Sequence, residues 1–256
     1  MRTDNTLEPP DQTSGPVLEC LARSRLYKVL SLALAPPETT ILNGSVKLVM
    51  LQDLARIVGV LQQEVGEAAR RVEQALEHIQ NETEQVRREY EYGFSESTSG
   101  HYPLYETEYA SPHVFAKTQT MADIAGFYRA FGVRSSIGLG ERPDQASTEL
   151  EFMHLVTLME ANASSKGDKE KAQVCLDAER KFIQDHMGRW LQGLGKLITE
   201  TATTNMYRSL GRLVTIFLND EIRRLGAKPE EVLLRRQRPL NLKNDDACDF
   251  GTVRSP

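Results

Sequence analysis

Apolar residues recur through most of the chain at steps of three and four, the spacing that gathers side chains on one face of an α-helix. The first such run predicts a helix over 17–35, because Pro36 and Pro37 follow it and proline cannot continue a helix. The apolar positions of this run are Leu18, Leu21, Ala22, Leu26, Val29, Leu30 and Ala33.

Further segments show the same periodicity, and few stretches alternate apolar and polar residues in the way of a strand. Segment 64–92 is long and highly charged. Its apolar steps also fit a coiled-coil seam, although small seam residues favour a helix packed on a bundle. The pattern therefore predicts an all-α fold, with additional helices over 46–61, 64–92, 116–131, 147–164, 169–186, 186–200 and 203–225.

The two ends of the chain lack this periodicity. Residues 1–16 are rich in proline, threonine and aspartate, and we expect them to be disordered. Residues 229–256 are polar, and we expect a mobile tail there. Since no linker interrupts the region between them, one helical domain over 17–228 is predicted.

Composition excludes several classes of function. The chain has 256 residues and a net charge of −5, whereas a nucleic-acid-binding protein needs a basic face. Cys20, Cys175 and Cys248 are far apart and do not form the pairs typical of a disulfide framework or a zinc site. No apolar run is long enough to span a membrane, and the N-terminus lacks the apolar stretch of a secretory signal. We therefore expect a cytoplasmic protein without stable membrane insertion.

Sequence motifs for catalysis are also missing. The histidines show no HxxxH or HExxH spacing, and the chain contains neither a GxSxG elbow nor a phosphate-binding loop. We therefore expect a protein that is not an enzyme and that has no catalytic residue, metal or cofactor.

The segment "ADIAGFYRAFG", residues 122–132, predicts a helix with two distinct faces. Ala122, Gly126 and Ala130 form a line of small residues, which predicts close approach of another helix, since a glycine otherwise weakens a helix. Asp123 is expected either to be an internal hydrogen-bond partner, which is the favoured role, or to line a pocket. The other face is an apolar core stripe formed by Ile124, Phe127, Tyr128 and Phe131.

Two segments beside this helix combine aromatic rings with carboxylates. "YPLYETEY" (102–109) precedes the helix and "ERPDQ" (141–145) follows it. Tyrosine rings and carboxylates bind cationic side chains through cation–π contacts and charge-assisted hydrogen bonds. If the helix brings both segments together, they form a groove for a basic peptide, and the helix supplies its apolar wall.

Several residues of these segments have a second interpretation. Asp144 either caps the next helix or contacts a peptide arginine. Glu106 and Glu108 are either solvated loop charges or contacts with a partner. Tyr105 and Tyr109 are either half-buried supports or direct contacts.

Four segments, in order and spacing, resemble the TorD/DmsD/NarJ family: "YPLYETEY", "MADIAGFYRAFGV", "ERPDQASTELEFM" and "FIQDHMGRW". Members of this family are dedicated chaperones of molybdenum oxidoreductases related to dimethyl sulfoxide reductase. The resemblance covers roughly 85–225. The sequences of these segments most resemble those of the delta-type chaperones of the ethylbenzene dehydrogenase, dimethyl sulfide dehydrogenase, chlorate reductase and selenate reductase systems.

The resemblance implies an all-helical chaperone of the TorD type that binds its client reversibly. Such a chaperone holds the apo catalytic subunit in the cytoplasm until the bis-molybdopterin guanine dinucleotide cofactor is inserted. Many members also bind the twin-arginine signal peptide of that subunit. We therefore expect both as partners of this chain, which would be a monomer or a dimer. The alternative is a stoichiometric accessory subunit that stays in the mature oxidoreductase.

The resemblance also implies where the client binds. Gln145 stands where the family usually has a histidine after its Pro-Asp element. Glutamine keeps the hydrogen-bonding capacity but loses the charge switching near neutral pH that a histidine would offer. The predicted binding residues are Tyr105, Glu106, Glu108, Tyr109, Phe127, Tyr128, Glu141, Arg142, Pro143, Asp144 and Gln145.

Overall fold

The computed structural model describes residues 15–94, 102–109, 114–133, 142–230 and 232, and within these ranges the chain forms helices and turns without a strand. The predicted all-α class is therefore confirmed. A π-helix, Ile183–Met187, joins the α-helix that ends at Phe182 to the α-helix that begins at Gly188. The α-helices are α1 (Gly15–Ala33), α2 (Gly44–Ile57), α3 (Gln63–Glu77), α4 (Thr83–Gly93), α5 (Glu106–Tyr109), α6 (Val114–Ala130), α7 (Ala146–Ser165), α8 (Lys169–Phe182), α9 (Gly188–Thr201) and α10 (Asn205–Leu225).

The helices pack around one apolar interior. Helix α1 lies along α7, and α7 lies along α8. Helix α10 packs against α9 and α3, and α2 bridges α1 and α3. The largest side chains that are fully buried are Trp190, Tyr27, Tyr128, Tyr207, Phe152, Phe182 and Phe217.

The single helix predicted over 64–92 is wrong, and so is its coiled-coil alternative. Helix α3 ends at Glu77, a 3₁₀ turn covers Ile79–Asn81, and α4 begins at Thr83. A straight helix of that length would extend about 43 Å, which is longer than a small domain. The break lets both halves bury their apolar residues, so that Val72 and Val86 are fully enclosed.

The close approach of two helices predicted at Gly126 is also wrong. A Cβ atom added to Gly126 meets nothing within 4 Å, and Ala122 and Ala130 are exposed. The close approach lies instead between α9 and α10. There a Cβ on Gly195 would lie 2.6 Å from Thr215 Oγ1, and one on Gly211 would lie 2.6 Å from the carbonyl oxygen of Gly195.

Helix α6 rests on the bundle through its other face. Ile124 and Tyr128 are buried, and Phe127 and Phe131 are half-buried against the core. The predicted apolar stripe is therefore correct, but the helix is embedded only to half its width. Its small-residue line faces outward because no other described helix covers it.

The predicted domain limits stay predictions. The proposed N-terminal tail and most of the proposed C-terminal tail lie outside the described residues. Segment 93–112, which lies between the helices predicted over 64–92 and 116–131, is described only in part, and it contains the short helix α5.

Candidate functional site

The two segments that flank α6 lie side by side. The amide of Glu106 donates to the carbonyl of Asp144 at 2.9 Å, and the amide of Ala146 donates to the carbonyl of Leu104 at 2.8 Å. Tyr105 and Gln145 form an antiparallel bridge between these bonds. The structure thus brings together the two segments that carry the predicted binding residues, and main-chain hydrogen bonds hold them.

Asp144 is fully buried, and its carboxylate is already occupied within the chain. It accepts hydrogen bonds from Arg142 Nε at 3.0 Å and Nη2 at 2.8 Å, and from Thr107 Oγ1 at 2.8 Å and N at 3.2 Å. Gln145, and not Asp144, precedes α7 as its N-cap residue, so the predicted capping role is wrong. The bond to the Thr107 amide stabilises the first turn of α5 instead. A peptide arginine would reach Asp144 only by displacing Arg142.

Arg142 is the cation that Tyr105 and Asp144 bind. Its Cζ atom lies 4.0 Å from the centre of the Tyr105 ring, in a cation–π contact, while its guanidinium bonds Asp144. The receptor for a cationic partner that was predicted from Tyr105 and Asp144 is therefore filled from within the chain. These residues lock the two segments together.

Two further tyrosines of the predicted set are supports. The Tyr109 hydroxyl donates to the carbonyl of Pro103 at 2.8 Å, and its ring lies 5.1 Å from that of Trp190. The Tyr128 hydroxyl donates to the carbonyl of Pro143 at 2.8 Å. Burial raises the pKa of both phenols. Both side chains therefore fix the segments on either side of α6 from inside.

The remaining predicted residues lie in different surroundings. Glu108 is exposed and lies 3.2 Å from Lys117 Nζ. Pro143 and Gln145 are half-buried. Phe127 packs edge-on against Phe182 and the His186 ring, whereas Glu141 lies outside the described residues. An open cavity of about 540 Å³ lies beside α6, and Glu106 of the predicted set belongs to its lining. The lining residues are Glu106, Ala116, Gln119, Thr120, Asp123, Gln184, Asp185, His186, Arg189, Lys228 and Glu230.

His186 lies between two carboxylates at the base of this cavity. Its Nδ1 is 3.2 Å from Glu106 Oε2, and its Nε2 is 3.3 Å from Asp123 Oδ2. The second pair lacks the alignment of a hydrogen bond, so Nε2 is buried without a hydrogen-bond partner among the described residues. Asp123 is 62% exposed, which contradicts a role as an internal hydrogen-bond partner. Its place in the cavity lining agrees with the predicted pocket-lining role.

The π-helix sets the position of His186. Such turns are rare in proteins overall, but many of them lie at functional sites. The extra residue changes the direction of the side chains around it. The turn needs a glycine after it, since a Cβ on Gly188 would lie 2.5 Å from the carbonyl oxygen of Ile183. His186 lies in the segment "FIQDHMGRW", but it was not among the binding residues predicted from the sequence. The signal was a glycine directly after a polar, histidine-bearing turn.

The cavity is lined by acidic side chains and by two basic side chains. Asp123, Asp185 and Glu230 bring carboxylates, whereas Arg189 and Lys228 bring positive charge. Arg189 Nη1 donates to the carbonyl of Asp185 at 3.3 Å, and its Nε donates to that of Glu230 at 3.4 Å. The guanidinium is therefore engaged with main-chain oxygens, while Asp123 and Glu230 are exposed.

Glu149 extends the acidic cluster inward. Its carboxyl group is fully buried, and Oε2 accepts a hydrogen bond from Trp190 Nε1 at 3.2 Å. Burial, together with the nearby carboxyl group of Glu106, raises the pKa of Glu149 well above its ordinary value. The raised pKa favours the protonated, neutral form of the Glu149 carboxyl group.

The described residues lack a metal-binding cluster and a membrane-spanning helix. They contain no group of three or more His, Cys, Asp or Glu side chains arranged to hold a metal ion. None of their helices combines the length and the apolar character needed to cross a bilayer. The cavity lining itself offers charged and hydrogen-bonding side chains.

Comparisons with known proteins give a family match and curated relatives. Residues 59–194 match the family model of the nitrate reductase delta subunit. The chain is 29% identical over 97 residues to a perchlorate reductase assembly chaperone protein of Dechloromonas aromatica (strain RCB), covering 38% of the chain and 42% of that relative. It is 30% identical over 112 residues to a chlorate reductase assembly chaperone protein of Ideonella dechloratans, covering 43% of the chain and 55% of that relative. The chain thus spans about half the length of the curated relatives it matches, and no solved structure matches it significantly.

Proposed function

Because the chain belongs to the nitrate reductase delta subunit family, we propose that it is an assembly chaperone for the catalytic subunit of a molybdoenzyme. The membership confirms the resemblance to the TorD/DmsD/NarJ family inferred from the four segments. Both curated relatives are named as assembly chaperones, which supports a role in binding a client.

In its finer form, the proposal has the chain bind the apo catalytic subunit in the cytoplasm and hold it until the molybdenum cofactor is inserted. The chain would also bind the twin-arginine signal peptide of that subunit and so delay export. Release would follow cofactor insertion, without covalent chemistry.

The observation that carries the proposal is the cavity between α6 and the π-helix. Its lining includes Asp123, whose carboxylate is 62% exposed and lies 3.3 Å from His186 Nε2, and the exposed Glu230. Carboxylates arranged around an open cavity bind guanidinium groups through charge-assisted hydrogen bonds. A peptide that carries arginines is therefore the ligand that best fits the site.

The predicted residues take two roles in this proposal. Tyr105, Arg142 and Asp144 position the segment that ends in α5, and α5 carries Glu106 into the cavity wall. Glu108 is exposed beside this junction and is available for contact with the mature subunit. The half-buried Phe127 supports the His186 ring from α6.

Affinity capture from the native cytoplasm tests the proposal. The tagged chain should recover a molybdopterin-type catalytic subunit that retains its twin-arginine leader and lacks molybdenum, identified by mass spectrometry and metal analysis. Recovery of a fully metallated complex would instead favour the retained accessory subunit.

A substitution in the cavity should reduce this capture. We expect Asp123→Asn to recover several-fold less catalytic subunit, because the rim loses the open carboxylate. The matched control is Asp177→Asn, which changes an exposed aspartate of α8 away from the cavity and should recover the wild-type amount. Equal recovery by all three chains would remove the cavity from the binding site.

A further inference from the structure

One ring nitrogen of His186 has a hydrogen-bond partner within the chain. Its Nδ1 lies 3.2 Å from Glu106 Oε2 and 3.4 Å from Oε1, and both side chains are buried. A carboxylate accepts hydrogen bonds and cannot donate them, so Nδ1 carries the hydrogen of the neutral ring. Nε2 then keeps its lone pair, because only one nitrogen of a neutral imidazole is protonated.

The other ring nitrogen has no donor among the described residues. Nε2 of His186 is buried without a hydrogen-bond partner and lies 3.3 Å from Asp123 Oδ2. An ionised carboxylate is an acceptor too, so two acceptors face each other across this distance. A buried acceptor without a donor is unfavourable. The pair therefore favours a ligand that donates a hydrogen bond to both groups.

The surroundings of this pair favour one kind of donor. Asp123 is 62% exposed, and exposed side chains change rotamer rapidly, so its carboxylate can turn to admit a ligand. The rings of Phe127 and Phe182 pack on the His186 ring, with centres 5.6 Å and 5.2 Å from it. A guanidinium group is more weakly hydrated than an ammonium group, and its planar fork has donors for both carboxylate oxygens and for Nε2. An arginine side chain therefore fits this place better than a lysine side chain.

We propose that His186 makes the cavity selective for arginine over lysine, because its Nε2 and the Asp123 carboxylate together bind one guanidinium group. Glu106 fixes the tautomer that this requires. The inference rests on the proposed function and names the part of the cavity that receives an arginine of the client. Protonation of His186 abolishes this subsite, since Nε2 then donates to Asp123 itself and places a positive charge beside the carboxylate.

Fluorescence anisotropy with two labelled peptides tests the selectivity. The probes are Ala-Ser-Arg-Arg-Ala-Leu-Leu-Ala and the same peptide with lysine in place of both arginines. At about pH 7.5 the wild-type chain should bind the arginine probe at least about tenfold more tightly, which is the effect expected of one hydrogen bond to a charged group. Equal affinity for the two probes would overturn the proposal.

Two substitutions of His186 separate its acceptor from its packing. The amide group of asparagine reaches about as far as Nδ1, and that of glutamine about as far as Nε2. His186→Gln should therefore keep the selectivity, whereas His186→Asn should lose it. The control is His78→Asn, at an exposed histidine outside the cavity lining, which should bind as the wild type does. Loss of selectivity in both His186 variants, or in neither, would refute the role of Nε2.

The pH dependence of binding is a second readout. From about pH 7.5 to about pH 5.5 the wild-type chain should lose about tenfold in affinity for the arginine probe, because a protonated histidine competes for Asp123. His186→Gln should lose less, and equal losses would contradict the proposal. The comparison isolates His186, since the variant leaves every other charged group near it unchanged. These groups are Glu106, Asp123, Glu149, Lys181, Asp185, Arg189, Lys228 and Glu230.

A variant at the exposed carboxylate avoids any change in the buried ring. Asp123→Asn should weaken binding of the arginine probe about tenfold, because one charge-assisted partner of the guanidinium is lost. Asp177→Asn, outside the cavity lining, should leave the affinity unchanged. Equal affinity in Asp123→Asn and the wild type would exclude the subsite.

Affinity capture separates this proposal from the proposed function. A wild-type chain that captures the catalytic subunit but binds both probes equally would refute the guanidinium subsite and leave the chaperone function standing. A chain that prefers the arginine probe but captures no catalytic subunit would refute the chaperone function and leave the subsite standing.

Discussion

At the scale of single residues, Glu149 shows how one buried acid links the fold to pH. Its carboxyl group lies behind Glu106 and accepts a hydrogen bond from Trp190, which is the sole tryptophan of the chain. A carboxyl group whose pKa is raised in the folded state keeps its proton there while the unfolded chain ionises. Its contribution to stability is therefore present at low pH and is lost as pH rises through the raised pKa.

We expect Glu149→Gln to reduce this loss. Glutamine keeps an acceptor for Trp190 and carries no charge, so the free energy of unfolding should fall less between about pH 5 and about pH 8 than it does in the wild type. Urea denaturation followed by Trp190 fluorescence measures it. Glu151→Gln, at an exposed position of the same helix, is the control and should follow the wild type. Parallel curves for Glu149→Gln and the wild type would show that Glu149 is charged in the folded protein.

At the scale of secondary-structure elements, two glycines in helices have opposite surroundings. Gly211 lies where α10 crosses α9, and an added Cβ would come within 2.8 Å of the Thr199 amide nitrogen. Gly126 lies on the open face of α6. Glycine is helix-destabilising in both places, but only Gly211 allows a close contact between backbones.

The two alanine variants should therefore differ in sign. Gly126→Ala should raise the free energy of unfolding by about 0.5–1 kcal/mol, because alanine favours the helix and finds open space. Gly211→Ala should lower it by about 1–3 kcal/mol, because the added methyl group overpacks the crossing. Thermal and urea denaturation measure both changes. If Gly126→Ala were the destabilising variant, α6 would pack more tightly than the structure indicates.

At the scale of the whole molecule, a buried charge cluster joins helices that are far apart in sequence. Arg23 of α1 lies 2.6 Å from Glu160 of α7, 3.0 Å from Glu179 of α8 and 3.3 Å from Glu221 of α10. Arg224 lies 2.8 Å from both Glu179 and Glu221. Because removal of one partner leaves buried charges uncompensated, such a cluster makes the helices depend on one another.

Arg23→Leu should destabilise the whole domain by about 3–5 kcal/mol, because three buried carboxylates lose their shared cation. The control is Lys28→Ala on the same helix, whose ion pair with Glu151 is exposed and should contribute no more than about 1 kcal/mol. Urea denaturation compares the two variants. Similar losses in both would mean that the buried cluster is no more important than a surface ion pair.

The sequence by itself determined the all-α class, most of the helices and the apolar stripe of α6, because helical periodicity is a local property that survives in any packing. It also determined the resemblance to a chaperone family, since that rests on ordered motifs. It placed the two flanking segments together correctly but left open whether Asp144 and Tyr105 contact the client or support the fold. The pairing of both with Arg142 depends on how three neighbouring side chains turn in space, which residue spacing does not reveal.

Only the tertiary structure decided which residues line the candidate site. His186, Asp123 and Glu106 lie on three elements, and a π-helix with a glycine behind it aims the histidine at both carboxylates. The break between α3 and α4 and the choice of Gly211 over Gly126 for close packing have the same origin. Each depends on what lies opposite a helix, and contacts between distant segments are set by burial of apolar surface over the whole chain and not by local propensity.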